Sequence, residues 1–232
     1  KHGILSKYSL KVIGLSLETI EYAENRELFR KRLQDIGFQT LPSAYMRDLK
    51  QLPSIEKELG FPVIVRASFT LSGYGGGIAT NTKELEELCK EGLLIASSGV
   101  LIEKSIEGWK EYELEVIRDS SGNCIVVCGI ENIDPMGVHT GDSITVTPIQ
   151  TLTDKEYQKM RLSAFSIMEA VGMTSGGCNV QFAVHPVSGD MICIEMNPRV
   201  SRSSALASKA TGFPIAKIAA KIALGYLLHA LQ

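Results

Sequence analysis

The segment from Asn179 to Asn197 carries side chains that could bind a divalent cation. It is predicted to form two strands joined by a turn, because apolar runs flank a stretch of turn residues. Counting outwards from the turn sets Gln181 opposite Glu195 and Asn179 opposite Asn197. One carboxylate among amide oxygens suits Mg²⁺ that also takes phosphate oxygens. The alternative is a solvated polar face, although Glu195 lies in an apolar run where an unpaired buried carboxylate is costly.

Two arginines, Arg199 and Arg202, follow the second of these strands within a few residues. Guanidinium groups could neutralise a phosphoryl group during transfer. An ordinary surface loop can also hold two arginines. Their closeness to Glu195 and Asn197 favours phosphoryl chemistry, which needs metal ligands and a phosphate clamp side by side.

A glycine-dense loop, Thr70–Gly77, follows a predicted strand and has Arg66 at its root. Without Cβ atoms, backbone N–H groups of this loop could approach phosphate oxygens. The same glycines fit a surface hairpin equally well, and their spacing is not that of a Walker A loop. A second compact turn, Met136–Asp142, contains His139, and a lone histidine is more often structural than catalytic.

The elements that must position these residues alternate between helical and strand patterns, which predicts an α/β or α+β protein. Phe61–Val65 is predicted to be a buried strand leading into the glycine loop. From Trp109 the pattern alternates strictly, so that Glu111, Glu113 and Glu115 fall on one strand face.

The change of pattern at Trp109 is expected to separate two lobes. A helix capped by Ser16 or Thr19 and continuing through Phe29 and Leu33 is assigned to the smaller lobe. The predicted division is 1–18 as a lead-in from a preceding domain, 19–108 as the smaller lobe with the glycine loop, and 109–232 as the larger lobe with the metal and phosphoryl site.

Composition excludes some classes of partner. The chain has 24 basic and 26 acidic residues, so no broad positive field favours nucleic acid or a membrane surface. No apolar run is long enough to cross a bilayer, and we expect a cytoplasmic protein. The five cysteines lack a C-x-x-C pair and the four histidines are scattered, which favours buried reduced thiols over a zinc site.

Several stretches resemble the large subunit of carbamoyl-phosphate synthetase, a member of the ATP-grasp superfamily. The resemblance extends from about Ile13 to Leu228 and is strongest for the first, amino-terminal ATP-grasp copy of that subunit. It implies an α+β ATP-grasp fold, with two lobes of antiparallel or mixed sheets and flanking helices. The stretches that carry it are Gly108–Glu113, Glu131–Asn132, Val138–Thr145, Asn179–Ala183 and Ile194–Lys217.

The resemblance implies a reaction in which ATP phosphorylates bicarbonate to carboxyphosphate. Ammonia then displaces phosphate to give carbamate, which the second ATP-grasp copy phosphorylates to carbamoyl phosphate for arginine or pyrimidine biosynthesis. The implied cofactors are ATP and two Mg²⁺ or Mn²⁺ ions. The implied partners are the remainder of the large subunit and a glutaminase subunit or domain.

The resemblance also implies roles for individual residues. Lys104 and Ile106 would contact the adenine through backbone groups. Gln181, Glu195 and Asn197 match the metal ligands, and Gln181 and Glu195 thereby also belong to the nucleotide site. Arg199, Arg202 and His139 match residues that act on the phosphoryl group and bicarbonate. The residues that would line the nucleotide and its phosphates are Arg26, Arg66, Ser72, Gly73, Glu111, Gly137, Val138 and His139.

Two positions depart from the family pattern. Ser72 stands where the bacterial phosphate loop has glycine, and Lys104 stands where an acidic residue is frequent. Neither change removes a metal ligand or an arginine. The rival functions are another bicarbonate-activating ligase, such as biotin carboxylase, and a non-catalytic nucleotide-binding module. The presence of Glu195, Asn197 and Arg199 disfavours the non-catalytic module.

Overall fold

A computed structural model describes residues 3–10, 12–67, 76–96, 99–138 and 142–231. The chain divides into a smaller unit, Leu41–Glu107, and a larger unit formed by the described residues of Lys1–Thr40 and Gly108–Gln232. Ser72, Gly73 and His139 lie outside the described residues, as does most of the glycine loop.

The described elements follow one another in the order α1 (Ile4–Lys7), α2 (Leu17–Glu24), α3 (Arg26–Asp35), β1 (Ser43–Met46), a 3₁₀ turn (Leu49–Gln51), α4 (Leu52–Leu59), β2 (Val63–Ala67), β3 (Gly77–Ala79), α5 (Thr82–Ile95), β4 (Val100–Lys104), β5 (Lys110–Arg118), β6 (Cys124–Asn132), β7 (Thr145–Val146), α6 (Asp154–Ala170), β8 (Gly176–Val184), β9 (Met191–Asn197), α7 (Arg202–Thr211), α8 (Ile215–Ala223) and a 3₁₀ turn (Leu228–Ala230).

The smaller unit is a four-stranded antiparallel sheet in the order β1-β4-β2-β3. Residues alternate along β2, so that Val63 and Val65 are buried in a core shared with α4 and α5. Asn81 caps α5 by accepting a hydrogen bond from the Glu84 N–H at 3.0 Å. The predicted strand before the glycine loop is thus confirmed.

The larger unit contains a five-stranded antiparallel sheet in the order β7-β6-β5-β8-β9, with helices against both faces. Because side chains alternate along β5, this strand contributes residues to the cores on both faces of the sheet. Tyr112 and Leu114 join a core with α3 and α6, whereas Ile117 joins a second core with α7 and α8. The polar residues predicted to form the metal site lie on the face of the sheet that carries this second core.

The structure places residues 19–40 differently from the predicted division into lobes. Phe29 and Leu33 belong to the core of the larger unit, and Thr19 Oγ1 donates a hydrogen bond to the Gly172 carbonyl oxygen at 3.0 Å. An amphipathic stripe identifies a buried face but not the core that it joins, so the sequence-based assignment of this segment was wrong.

The predicted amino-terminal helix is in fact two helices. Ser16 caps α2 as expected. Asn25 then ends α2 and caps α3, because its side-chain oxygen accepts hydrogen bonds from the N–H groups of Glu27 and Leu28.

Candidate active site

The hairpin of β8 and β9 has the predicted pairing. Gln181 lies opposite Glu195, and Asn179 lies opposite Asn197. Asn197 Nδ2 donates a hydrogen bond to Glu195 Oε1 at 2.9 Å, so these two side chains share one face of the sheet. Arg199 Nη2 donates to Asn197 Oδ1 at 3.4 Å. The structure therefore brings together the predicted metal ligands and the first predicted arginine.

A β-bulge at Ile194 is responsible for the direction of Glu195. Nearer the turn, Phe182 pairs with Cys193, and both side chains belong to the core with α6. Beyond the bulge, Met196 faces that core. Without the extra residue, simple alternation from Cys193 would point Glu195 into the apolar core.

Three carboxylates of β5 lie on the same face as the hairpin residues. Glu111, Glu113 and Glu115 are 7%, 1% and 2% exposed. Register sets Glu113 beside Gln181 and Glu115 beside Asn179, so polar rows run across β5, β8 and β9. The predicted alternation of this strand is confirmed, and the carboxylates are more buried than its pattern alone indicated.

Asn179 joins two of these carboxylates. Its Nδ2 donates to Glu113 Oε2 at 2.8 Å and to Glu115 Oε1 at 2.9 Å. Its Oδ1 is buried and accepts no hydrogen bond from the described residues. On β6, Asn132 behaves similarly, since Nδ2 donates to Glu111 Oε2 at 3.3 Å and Oδ1 finds no partner within the described ranges. Unsatisfied buried acceptors are rare, so each of these two oxygens needs a partner such as a water molecule or a ligand.

Glu115 also contacts the start of α7, where Ser203 and Ser204 donate their hydroxyl protons to it. Burial raises the pKa of the Glu115 carboxyl above its ordinary value, and the hydrogen bonds from Ser204, Asn179 and Ser203 oppose that rise. The neighbouring charge of Glu113 raises the pKa further. No role was predicted for Glu115, Ser203 and Ser204 from sequence, although the alternating glutamates and the serine run are visible signals.

A hard divalent cation fits the hairpin residues by the chemistry of the donors. Gln181, Glu195 and Asn197 offer one carboxylate and two amide groups on one face. In the part of the chain that the structure describes, no cluster of three His, Cys, Asp or Glu side chains could hold a metal by itself. A cation here would therefore need amide oxygens and oxygens from a bound phosphate.

The smaller unit holds three of the predicted nucleotide residues. Arg66 lies on β2, with its Nε 3.1 Å from Glu103 Oε2 on β4. The Lys104 backbone N–H donates to the Pro42 carbonyl oxygen at 2.9 Å, and its ammonium group donates to the Phe61 carbonyl oxygen at 2.9 Å. Ile106, the third residue, is buried.

The remaining described candidates are spread over the larger unit. Arg26 is the exposed first residue of α3, and Arg202 is the exposed first residue of α7. Gly137 has a φ of 105°, which favours glycine, and precedes the exposed Val138 in the loop after β6. Arg202 follows the hairpin by five residues along the chain, whereas Arg26, Gly137 and Val138 belong to other elements.

A family model described as the carbamoyl-phosphate synthase L chain, ATP binding domain, matches residues 25–231. The chain belongs to this family. The predicted resemblance is thereby confirmed for nearly the whole sequence.

Relatives of this ATP-binding domain are similar over its full length. The carbamoyl phosphate synthase large chain of Myxococcus xanthus is 57% identical over 233 residues, covering 100% of this chain and 22% of the relative. The corresponding protein of Thermotoga neapolitana is 58% identical over 227 residues, covering 97% of this chain and 21% of the relative. The domain thus spans about a fifth of the length of these relatives.

Solved structures confirm the α+β ATP-grasp fold of the domain. A biotin carboxylase complex with β,γ-ATP from Campylobacter jejuni has a TM-score of 0.83 at 25% identity, covering 97% of this chain and 51% of that one. The biotin carboxylase domain of 2-oxoglutarate carboxylase from Hydrogenobacter thermophilus, in complex with MgADP, ADP and bicarbonate, has a TM-score of 0.82 at 24% identity, covering 99% and 51%.

The thiols of this ATP-binding domain are mostly buried, as predicted. Burial raises the pKa of Cys89 to about 12 and that of Cys128 to about 11. Cys178 and Cys193 are buried as well, whereas Cys124 is half-buried. Among the described helices, none has the length and apolarity needed to cross a membrane.

Proposed function

We propose that this domain transfers the γ-phosphoryl group of ATP to bicarbonate, giving carboxyphosphate and ADP, as the first step of carbamoyl phosphate synthesis. The observation that carries the proposal is the connected set at the end of β9, in which Arg199 donates to Asn197 and Asn197 donates to Glu195, opposite Gln181. Phosphoryl transfer needs positioned charge rather than a protein nucleophile, and this set supplies it.

Gln181, Glu195 and Asn197 would hold two Mg²⁺ or Mn²⁺ ions together with the triphosphate. These ions supply positive charge against the phosphate oxygens. The bulge at Ile194 supports the assignment, since it turns Glu195 away from the apolar core. The unsatisfied Oδ1 of Asn179, one row along the sheet, is a further acceptor for a bound group.

Arg199 and Arg202 would stabilise the charge that develops as a bicarbonate oxygen displaces ADP from the γ-phosphorus. Both side chains are exposed, and Arg199 is oriented by Asn197. A guanidinium can bind two oxygens at once, which suits both a phosphoryl group and a planar bicarbonate. His139 retains its proposed catalytic role on resemblance alone.

The proposed nucleotide residues keep the roles that the resemblance implies, and two of them can be described more closely. Lys104 would have to meet the adenine through its carbonyl oxygen, because its N–H already donates to Pro42. Glu111 is oriented by Asn132 on the same polar face. The other proposed nucleotide residues are Arg26, Arg66, Ser72, Gly73, Ile106, Gly137, Val138 and His139.

Carbamoyl phosphate synthesis would further require ammonia, a second ATP-grasp copy in a longer protein, and a glutaminase subunit or domain. We expect these partners to be in the cytoplasm. The support is the share of 22% that the chain covers in a carbamoyl phosphate synthase large chain. Biotin carboxylase is the second candidate, because the similar structures include a biotin carboxylase domain in complex with bicarbonate. Identity of 57% with carbamoyl phosphate synthase against 24% with that domain favours the first.

The test is Glu195→Gln in the full-length protein. Loss of the one carboxylate among the proposed ligands should lower bicarbonate-dependent ATP hydrolysis by about 100-fold or more, because the charge that balances the ions is removed. Glu169→Gln, an exposed change on α6, is the matched control and should leave the rate unchanged. Equal rates for Glu195→Gln and the control at saturating Mg²⁺ would contradict the assignment.

A further inference from the structure

The carboxylate of Glu115 receives three hydrogen bonds from two different elements. Its Oε1 accepts from Ser203 Oγ at 2.9 Å and from Asn179 Nδ2 at 2.9 Å. Its Oε2 accepts from Ser204 Oγ at 2.8 Å. With 2% of its surface exposed, Glu115 is a carboxyl group buried beneath the first turn of α7.

The direction of these hydrogen bonds determines the proton positions of three serine hydroxyls. Ser204 donates to Glu115 and accepts from the Ser201 N–H at 2.9 Å. Ser203 has one hydroxyl proton and gives it to Glu115, so the Ser201 hydroxyl, 2.7 Å away, must donate to Ser203. Ser201 is the N-cap of α7 and forms a capping box with Ser204.

A carboxylate in the sheet therefore organises the cap of α7, and Arg202 is the residue that follows this cap. In its ionised form Glu115 also faces the amino terminus of a ten-residue helix, where a negative charge is favourable. On the other side, Asn179 links Glu115 to the hairpin, one row from Gln181 and Glu195. The start of α7 and the hairpin with the proposed metal ligands are thus connected through the Glu115 side chain.

We propose that Glu115 is a positioning residue that fixes the first turn of α7 and so holds Arg202 in place relative to the Gln181–Glu195 hairpin. The inference rests on the proposed function. Stability alone does not account for a glutamate here, because burying an ion costs free energy that an apolar side chain would avoid. Glu115 contributes only acceptors, and its three donors require an acceptor at both oxygens.

The experiment is a double-mutant cycle in the full-length protein. Bicarbonate-dependent ATP hydrolysis is measured with radiolabelled ATP, so that low rates can be detected. Glu115→Gln replaces one acceptor with a donor and should lower kcat about tenfold or more while KM for ATP changes less than about threefold. In an Arg202→Ala background the same change should alter kcat less than about twofold, because the group that it positions is absent.

Ser208→Ala is the matched control. Ser208 lies on α7, and its hydroxyl donates to the Ser204 carbonyl oxygen and accepts from the Ile215 N–H rather than contacting Glu115. It should lower the thermal midpoint of unfolding without lowering kcat. If Glu115→Gln proves insoluble, Ser204→Ala removes one of the three hydrogen bonds and should show a smaller kcat loss with the same dependence on Arg202.

Two outcomes separate the inference from the proposed function. An equal kcat loss with and without Arg202, or a kcat loss in Ser208→Ala as large as that in Glu115→Gln, would overturn the positioning role alone. A wild-type protein without bicarbonate-dependent hydrolysis, or an Arg202→Ala variant as active as wild type, would overturn the proposed function and the inference with it.

Discussion

Asn197 lies between the two charged side chains that the proposed phosphoryl site needs. An amide has both a donor and an acceptor, and Asn197 uses the donor for Glu195 and the acceptor for Arg199. In this arrangement the carboxylate and the guanidinium are both oriented through one amide.

Arg199→Lys tests this arrangement at a single residue. A point charge cannot reproduce a two-pronged contact, so kcat for bicarbonate-dependent hydrolysis should fall by about tenfold or more, with KM for ATP changed less than about threefold. Arg161→Lys on α6 is the control, since Arg161 stacks on Phe165 at the other face of the sheet. A raised KM with unchanged kcat would make Arg199 a ground-state binder instead.

Some residue contacts follow from sequence and others do not. The facing of Gln181 and Glu195 was predictable, because side chains alternate along strands and a short turn limits the register. The contacts of Glu115 with Ser203 and Ser204 join residues 88 and 89 positions apart. They depend on where α7 lies on the sheet, which local pattern does not determine.

The hairpin of β8 and β9 shows how one element can be predicted correctly for an incomplete reason. Counting from the turn gave the right partner for Glu195, but the strands closest to the turn pair Phe182 with Cys193 in another register. The extra residue of the bulge, Ile194, accounts for the change of register between these two parts of the hairpin. A bulge has no reliable sequence signature, so its position could be found only in the structure.

The turn between β5 and β6 is joined to the carboxyl-terminal 3₁₀ turn through Asp119. Its oxygens accept from the N–H groups of Ser121, Asn123 and Leu228 and from Asn123 Nδ2, at 2.9–3.0 Å. Burial would raise the pKa of this carboxyl, but the hydrogen bonds from Asn123, Leu228 and Ser121 outweigh burial and the pKa lies below its ordinary value. The ionised form therefore stabilises the folded state.

Asp119→Asn should lower the free energy of unfolding at pH 7 by about 1–2 kcal/mol, because an amide presents a donor where an acceptor is required. The folded-state pKa is lowered, so the stabilisation is fully present above the ordinary aspartate pKa of about 4 and is lost as pH falls through the lower folded value. Urea denaturation should thus show a difference in the free energy of unfolding between wild type and variant that becomes smaller in acid. A difference that stays constant down to about pH 2 would contradict the role of the charge.

For the whole molecule, the fold class and family were predictable, whereas the allocation of the amino-terminal helices was not. The capping residues Ser16 and Asn25 specify local helix starts. Whether Phe29 and Leu33 join the core of one unit or the other depends on packing partners more than 70 residues away, such as Tyr112. The prediction assigned this segment to the smaller lobe because the two are adjacent along the chain. Long-range packing instead places the segment in the core of the larger unit.

The most direct measurement for the proposed reaction is the transfer of ¹⁸O from bicarbonate to phosphate by the full-length protein with ATP and no ammonia. The bond that forms joins a bicarbonate oxygen to the γ-phosphorus, and decomposition of carboxyphosphate to carbon dioxide leaves that oxygen on phosphorus. At times short enough to limit exchange of bicarbonate with water, we expect phosphate that carries one ¹⁸O from the wild-type protein, and no such phosphate from Glu195→Gln. Bicarbonate-stimulated release of unlabelled phosphate by the wild-type protein would mean that water attacks the γ-phosphorus, and would contradict phosphoryl transfer to bicarbonate.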